Sequence, residues 1–480
     1  MTTQKLNRRV HTLIDGMIRV PQGDLPAAAR ARLQQELSFP NPEYLQRTKY
    51  GRWTGDIPAE INLLEEKPAG WLQLPRGAGH ILRKAVRLGG RELEVVDQRA
   101  SFPPARQTCK LQLRHYQEQA VVALSKSIQG CLVAPCGAGK TVMGIGAVAR
   151  LAQPTLVLVH TKDLLDQWHK AVAEALGLDA GVIADGLRNP SHLTIATVQT
   201  LAGMDEPELD HLGRQFGVVI VDEAHHVPAV TFRSVLGHLP GKYRFGLTAT
   251  PHRPDGLTPL LNLGIGPVVF RISHRELIRS GHLVVPKVVP VLTRVSPWAE
   301  THADLVAALT ENPERNRLIL SLAKREASRG RSVLILSGRV DHCAMLAAAL
   351  QRMNVPAEKL TGSVPRGQRR EILQRFREGQ TMVVCATSLA DEGLDVKRLE
   401  RLILATPARA EGRTIQRLGR LMRPLDGKQT PVLYDLVDDH YLAAAQFRAR
   451  REAYRKVLGG SALSRDVQGH QLLQSAAAVA

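Results

Sequence analysis

The chain has 480 residues, enough for two or three domains, and its 44% hydrophobic and 23% charged residues are those of a folded globular protein. Its 64 Lys and Arg against 45 Asp and Glu give a formal charge of +19, which suits a polyanionic partner such as nucleic acid, although a merely arginine-rich chain would show the same excess. No run approaches the roughly 18 apolar residues of a membrane span. Asp15 and Gly16 interrupt any signal-peptide core, and Cys109, Cys131, Cys136, Cys343 and Cys385 show no metal-ligand spacing, so a cytoplasmic protein with reduced thiols and no membrane partner is expected.

Residues 1–105 come first, rich in Pro and Gly turn signals, and read as a small separate module of mixed structure. They carry 16 Lys and Arg against 11 Asp and Glu, so charge does not single them out. Tyr44, Tyr50, Trp53 and Trp71 lie among Arg47, Lys49, Arg52 and Arg76, where aromatic rings could stack on exposed bases. The plainer reading makes Trp53 and Trp71 the core of a small domain. If the module is separate, its removal leaves the rest of the chain intact.

From residue 131 the texture changes to short β-branched runs separated by helix-length segments: "CLVA", "TLVLV", "LTIATV", "GVVIV" and "RFGLTA", then "SVLIL", "MVVCA", "LERLILA" and "TPVLYDLV". Continuous rather than alternating apolar strands predict parallel sheets covered on both faces, hence α/β layers. Prolines 254, 259, 267, 286, 290, 297 and 313 break the rhythm and mark a boundary. The expected organisation is a first α/β domain over 106–290, a second over 300–458, and a flexible tail over 459–480.

"CLVAPCGAGKT" reads as strand, loop and helix start, the pattern of a phosphate loop with Ala134 in place of the first glycine. Pro135, Cys136, Gly137, Ala138 and Gly139 would turn backbone N–H groups toward a phosphate chain, Lys140 would reach the β- and γ-phosphates, and the Thr141 hydroxyl would hold Mg²⁺. About 80 residues on, "VDEAHH" packs two acids and two histidines directly behind the apolar run "FGVVI". A strand ending in a polar turn would explain it. Beside a phosphate loop, Asp222 suits the Mg²⁺ shell, Glu223 suits the general base for water, and His225 suits a sensor of the nucleotide. Adjacent histidines without further ligands do not make a zinc site, and His226 receives no role.

Taken together, "APCGAGKT", "VDEAHH", "GLTATP" and "QRLGRLMRP" resemble motifs I, II, III and VI of the DEAH-type superfamily 2 helicases, in that family's order. "LTATPHRPDGL" with "QRLGRLMR" is most similar to the XPB-like and phage UvsW-like DNA helicases, although only Arg253 and Asp255 stand where XPB has a fuller charged insertion. The resemblance covers roughly residues 110–455 and implies two RecA-like motor domains in tandem, using ATP and Mg²⁺. It implies adenine recognition by Arg114 and Gln117, and coupling of hydrolysis to strand contacts by Thr248 and Thr250. It places Thr161, Thr197, Gln199, Thr361 and Thr387 in segments that touch nucleic acid, and Gly393 and Asp395, beside Asp391 and Glu392, in motif V. Gln416, Arg417, Arg420 and Arg423 stand at i, i+1, i+4 and i+7, so that Gln416, Arg420 and Arg423 would share one helix face. A solvated basic helix explains the spacing as well; the resemblance makes Arg420 and Arg423 arginine fingers.

The implied function is an ATP-dependent DNA helicase or translocase with 3′→5′ polarity, acting on single-stranded, forked or branched DNA in repair, recombination or defence. A motor subunit of a restriction complex with its nuclease on another chain, an RNA helicase, and a non-motor nucleic-acid-binding protein remain as alternatives. DNA is preferred to RNA as partner, and residues 1–105 could dock a further protein.

Overall fold

The computed structural model describes residues 9–105, 108–226, 234–249, 257–387, 396–407, 411–459, 464 and 467–468. They form two compact units, Met1–Ala134 with Gly139–Ile272, and Ser273–Ala480 with the loop residues Pro135–Ala138. Among the described residues no helix is long and apolar enough to cross a membrane.

The centre of the first unit is an eight-stranded sheet. Its order from edge to edge is Leu187–Asn189, Gly181–Ala184, Leu193–Thr197, Thr155–Val159, Val218–Asp222, Tyr243–Thr248, Gln129–Val133 and Val268–Arg271. All neighbours run parallel except the outermost hairpin of Gly181–Ala184 with Leu187–Asn189. Every residue of Thr155–Val159, Leu193–Thr197 and Val218–Asp222 is buried, as continuous apolar runs require when helices cover both faces. Parallel pairing puts the carboxyl ends of these strands along one edge. The phosphate loop, Thr248 and Asp222 all leave the sheet there, where open α/β sheets hold their ligands.

Residues 9–105 carry a five-stranded sheet, ordered Glu65–Lys67, Trp71–Pro75, Met17–Pro21, Arg9–Ile14 and Glu92–Asp97, with the helices Ala27–Glu36 and Gly79–Leu88. This layer is not a separate unit. Its core leucines and valines share one cluster with Leu257, Leu260 and Leu263 of the motor segment. The tryptophan expectation is also corrected. Trp53 is 83% exposed and Trp71 half-buried, and the core is filled by Leu33, Leu37, Leu72 and Leu74 instead.

In the second unit seven strands pair in parallel in the order Ala357–Leu360, Val383–Ala386, Val333–Leu336, Arg401–Leu404, Val432–Val437, Lys287–Leu292 and Val467–Gln468. One strand from each sheet corrects the boundary read from the prolines. Val268–Arg271 closes the first sheet and Lys287–Leu292 belongs to the second, so the first unit ends at Ile272 and not at residue 290. Pro290 sits inside a strand for a specific reason. Lys287 and Thr293 donate their N–H groups to Pro431 and Val437 on one side, so position 290 faces the other side. There, among the described residues, the neighbouring strand pairs with Val291 and Leu292, and no described ladder bond calls on an N–H at position 290.

Candidate nucleotide site

The loop after Gln129–Val133 is shaped by its glycines. Gly137 and Gly139 hold φ of +87° and +82°, which a side chain would strain, and Ala138 N–H closes a turn on the Pro135 carbonyl at 3.1 Å. Gly139 is the N-cap of the helix Lys140–Leu151, so the loop ends at a helix N-terminus able to hold an anion. A Cβ on Gly139 would stand 2.6 Å from Gln117 Nε2. That places Gln117 against the loop, with its Oε1 held by the Arg114 N–H at 3.0 Å. Gln117 is buried, whereas Arg114 is exposed at the start of its helix.

Motif II meets this loop through side chains. Lys140 Nζ lies 3.3 Å from Glu223 Oε1, with both side chains largely shielded from solvent. Glu223 holds φ of +45°, a left-handed backbone that costs about 1–3 kcal/mol in a residue with a side chain. Its N–H donates to Asp222 Oδ1 at 2.9 Å, and Trp168 Nε1–H donates to Asp222 Oδ2 at 2.7 Å. Burial first, and the Glu223 charge second, push the Asp222 carboxyl up to about 6 against the Trp168 bond and the Lys140 charge. His225 is buried, with Nδ1 within 2.8 Å of Thr248 Oγ1 and 3.5 Å of Glu223 Oε2. A chain of polar side chains therefore runs from the loop lysine through Glu223 and His225 to motif III.

The residues present fit a hard divalent cation. Asp222 offers a buried carboxylate whose two protein donors leave a lone pair on each oxygen, and Thr141 offers a hydroxyl in the first turn of the helix after the loop. Among the described residues no three His, Cys, Asp or Glu gather into a metal-holding group.

The strand-contact candidates divide. Thr161 caps the helix Lys162–Leu176 by accepting from Leu164 N–H, and Gln199 Nε2 donates to the His160 carbonyl at 3.1 Å. Thr197, bonded to Thr200 at 2.7 Å, completes this group at the same sheet edge. Thr361 is fully buried with its hydroxyl 2.9 Å from that of Ser363, which is itself exposed. Thr387 is half-buried. Thr250, Arg253, Asp255, Asp391, Glu392, Gly393 and Asp395 lie outside the described residues.

Gln416, Arg417 and Arg420 lie on the helix Glu411–Leu421, with Gln416 and Arg417 buried. Arg423 is corrected, since the helix ends two residues before it and it cannot share that face. Pro424 disfavours helical backbone at Arg423. Lys428, which the sequence reading missed, takes over the helix end, its ammonium donating to the carbonyls of Leu421 and Arg423 at 2.9 and 2.8 Å and to that of Lys397 at 3.0 Å. Burial, with the Arg423 charge adding to it, lowers the Lys428 pKa to about 8. Trp168 was missed as well. Its only signal in the sequence was its place on the apolar face of Lys162–Leu176, one helical turn beyond Leu165.

A parallel sheet whose carboxyl edge joins a glycine-turned loop, a loop lysine and an acidic strand end defines a P-loop nucleotide hydrolase. Residues 110–253 match the family model of the type III restriction enzyme res subunit, and residues 314–424 that of the helicase conserved C-terminal domain. The chain is 29% identical over 384 residues to the DNA 3′-5′ translocase XPB2 of Sulfurisphaera tokodaii, covering 72% of this chain and 85% of that protein. Over 382 residues it is 27% identical to the probable helicase D10 of Escherichia phage T5, covering 76% and 80%. Saccharomyces cerevisiae Dbp5 bound to RNA, 14% identical, shares the fold with a TM-score of 0.56 over 76% of this chain and 92% of that one. The chain belongs to the superfamily 2 helicases, with RecA-like domains in tandem, and is a nucleic-acid-dependent ATPase.

Proposed function

We propose that the protein is an ATP-dependent DNA helicase or translocase moving 3′→5′. The observation that carries this reading is the chain Lys140–Glu223–His225–Thr248, which ties a phosphate-binding lysine to a carboxylate and on to motif III. The similarity to a relative described as a DNA 3′-5′ translocase supports the polymer and the direction. Lys140 and the loop N–H groups bind the phosphates, and Glu223 takes the proton of the attacking water. Thr141 and Asp222 would hold Mg²⁺, which supplies charge neutralisation at the phosphate oxygens. Arg420 and Arg423 serve as arginine fingers. Arg420→Ala is then expected to lower kcat about 10³-fold with nucleotide affinity modestly changed. An equal loss in both, measured by steady-state kinetics and nucleotide titration, would mark a ground-state or folding role.

A motor subunit of a restriction or defence complex is the second reading, favoured by the res-subunit match over 110–253. Forks, Holliday junctions, D-loops and RNA duplexes compared for ATPase stimulation separate the readings. Stimulation by RNA alone would remove DNA from the proposal.

The exposed aromatic patch at residues 44–56 gives a further contact with DNA. The Trp53 ring lies over Gly55, where a Cβ would stand 2.8 Å from it, and Arg47 Nη1 donates to the Trp53 carbonyl at 3.2 Å. A braced turn thus presents an indole to solvent beside exposed Lys49, Tyr50 and Arg52. Trp53→Ala is expected to weaken binding to fork DNA by about 5- to 160-fold, the 1–3 kcal/mol of one stacked base, without moving the melting temperature. Unchanged fork affinity in a binding titration would refute the stacking role.

A further inference from the structure

We propose that Trp168 is a positioning residue for the divalent cation, its indole N–H fixing the orientation in which Asp222 meets a metal–nucleotide. The inference rests on the reading of Asp222 as a cation ligand.

The geometry is that of a built site. Trp168 has no exposed surface and Asp222 is 3% exposed, so neither can exchange its bond for water. The helix Lys162–Leu176 carries Leu165, Trp168, Val172, Ala175 and Leu176 on its buried side, and this face sets the indole over the sheet edge. The helix that follows the phosphate loop makes room for it. A Cβ on Gly144 would stand 2.8 Å from Trp168 Cη2 and 3.0 Å from Leu247 Cδ1. Trp168 therefore packs on the helix after motif I, at the glycine that the motif III strand also approaches, and bonds the acid of motif II.

The chemistry favours orientation over packing. An indole N–H only donates, so it neither ligates a metal nor accepts a proton. It pins Oδ2 while the Glu223 N–H pins Oδ1, which fixes the carboxylate plane and the direction of the remaining lone pairs. Groups that hydrogen-bond to a ligating carboxylate typically change metal affinity 10- to 100-fold when removed. Phenylalanine keeps most of the ring and removes the donor.

The test uses full-length protein with a non-hydrolysable ATP analogue and Mn²⁺, following free Mn²⁺ by paramagnetic resonance. Trp168→Phe is expected to bind the analogue in EDTA as the wild type does, and its complex to bind Mn²⁺ roughly tenfold or more weakly. Equal Mn²⁺ affinity in the two proteins would overturn the positioning role, whatever happens to stability. Should the wild-type complex itself bind no Mn²⁺, the cation-site reading fails first, and the proposal with it. The wild type gives an independent check if the variant does not fold. Trp53 and Trp298 are exposed and open to acrylamide, Trp71 is half-buried, and Trp168 is buried. Acrylamide-resistant emission should change when Mg²⁺ joins the analogue complex, and constant emission would overturn the proposal.

Discussion

Glu223→Gln is expected to lower ATP turnover by roughly 10²- to 10⁴-fold, the range of a lost general base, while nucleotide binding falls little or rises. The amide keeps the volume of the carboxylate and the backbone that sets φ at +45°. What it loses is the negative charge and the proton acceptor. Lys140, 3.3 Å from that carboxylate, loses an ion partner that competes with phosphate, so its contribution to nucleotide binding is undiminished. His225 keeps its Thr248 partner at 2.8 Å, which leaves the link to motif III standing. The variant should therefore hold ATP and remain on DNA without turning over. Rapid-quench hydrolysis alongside equilibrium binding of a fluorescent nucleotide checks this. Wild-type turnover would return the acidic strand end to a polar turn with no chemical task.

The strands and the phosphate loop were legible because their signals are local. A run such as "TLVLV" can be buried on both faces only in a covered parallel sheet, and Gly137 and Gly139 stand where the backbone needs positive φ. The missed features depend on partners distant in sequence. Nothing near Trp168 says that its N–H meets Asp222, 54 residues away. Pro290 looked like a breaker because only the pairing of the neighbouring strands shows that its missing N–H faces away from the strand Val432–Val437. Trp53 looked like core because tryptophan usually is; here a turn braced by Arg47 holds it in solvent. Arg423 seemed to extend a helical face, but Pro424 and Lys428 end that helix before the face reaches it.

Removing residues 1–105 is expected to unfold or aggregate the first motor unit, contrary to the modular expectation drawn from the turn-rich sequence. The two layers meet backbone to backbone. A Cβ on Gly16 would stand 2.0 Å from the Gly237 carbonyl oxygen, and one on Gly77 would stand 2.2 Å from that of Asn262. Ala100 exchanges backbone hydrogen bonds with Pro240 and Lys242 at 2.9 and 2.8 Å. Two buried arginines lock the seam. Arg76 donates to Gln129 Oε1 and to the Gly241 and Lys242 carbonyls, and Arg244 reaches back to Gly16 as well as to Leu236, Leu239 and Gly264. Burial pulls both guanidinium pKa values below the ordinary arginine value. Deletion strips the Gly241 and Lys242 carbonyls of Arg76, takes the Gly16 carbonyl from Arg244, and uncovers Leu257, Leu260 and Leu263, now 5–8% exposed. At about 1.5–3 kcal/mol for each such side chain the loss is of order 5 kcal/mol or more, comparable with the whole stability of a domain. Arg76→Met removes the charged donor while leaving the sheet in place, and should cost about 3 kcal/mol or more. Calorimetry of the full-length protein, the Arg76→Met variant and the truncated chain gives the ordering. A truncated chain whose first transition matches that of the full-length protein would show that the seam contributes nothing to the motor's stability.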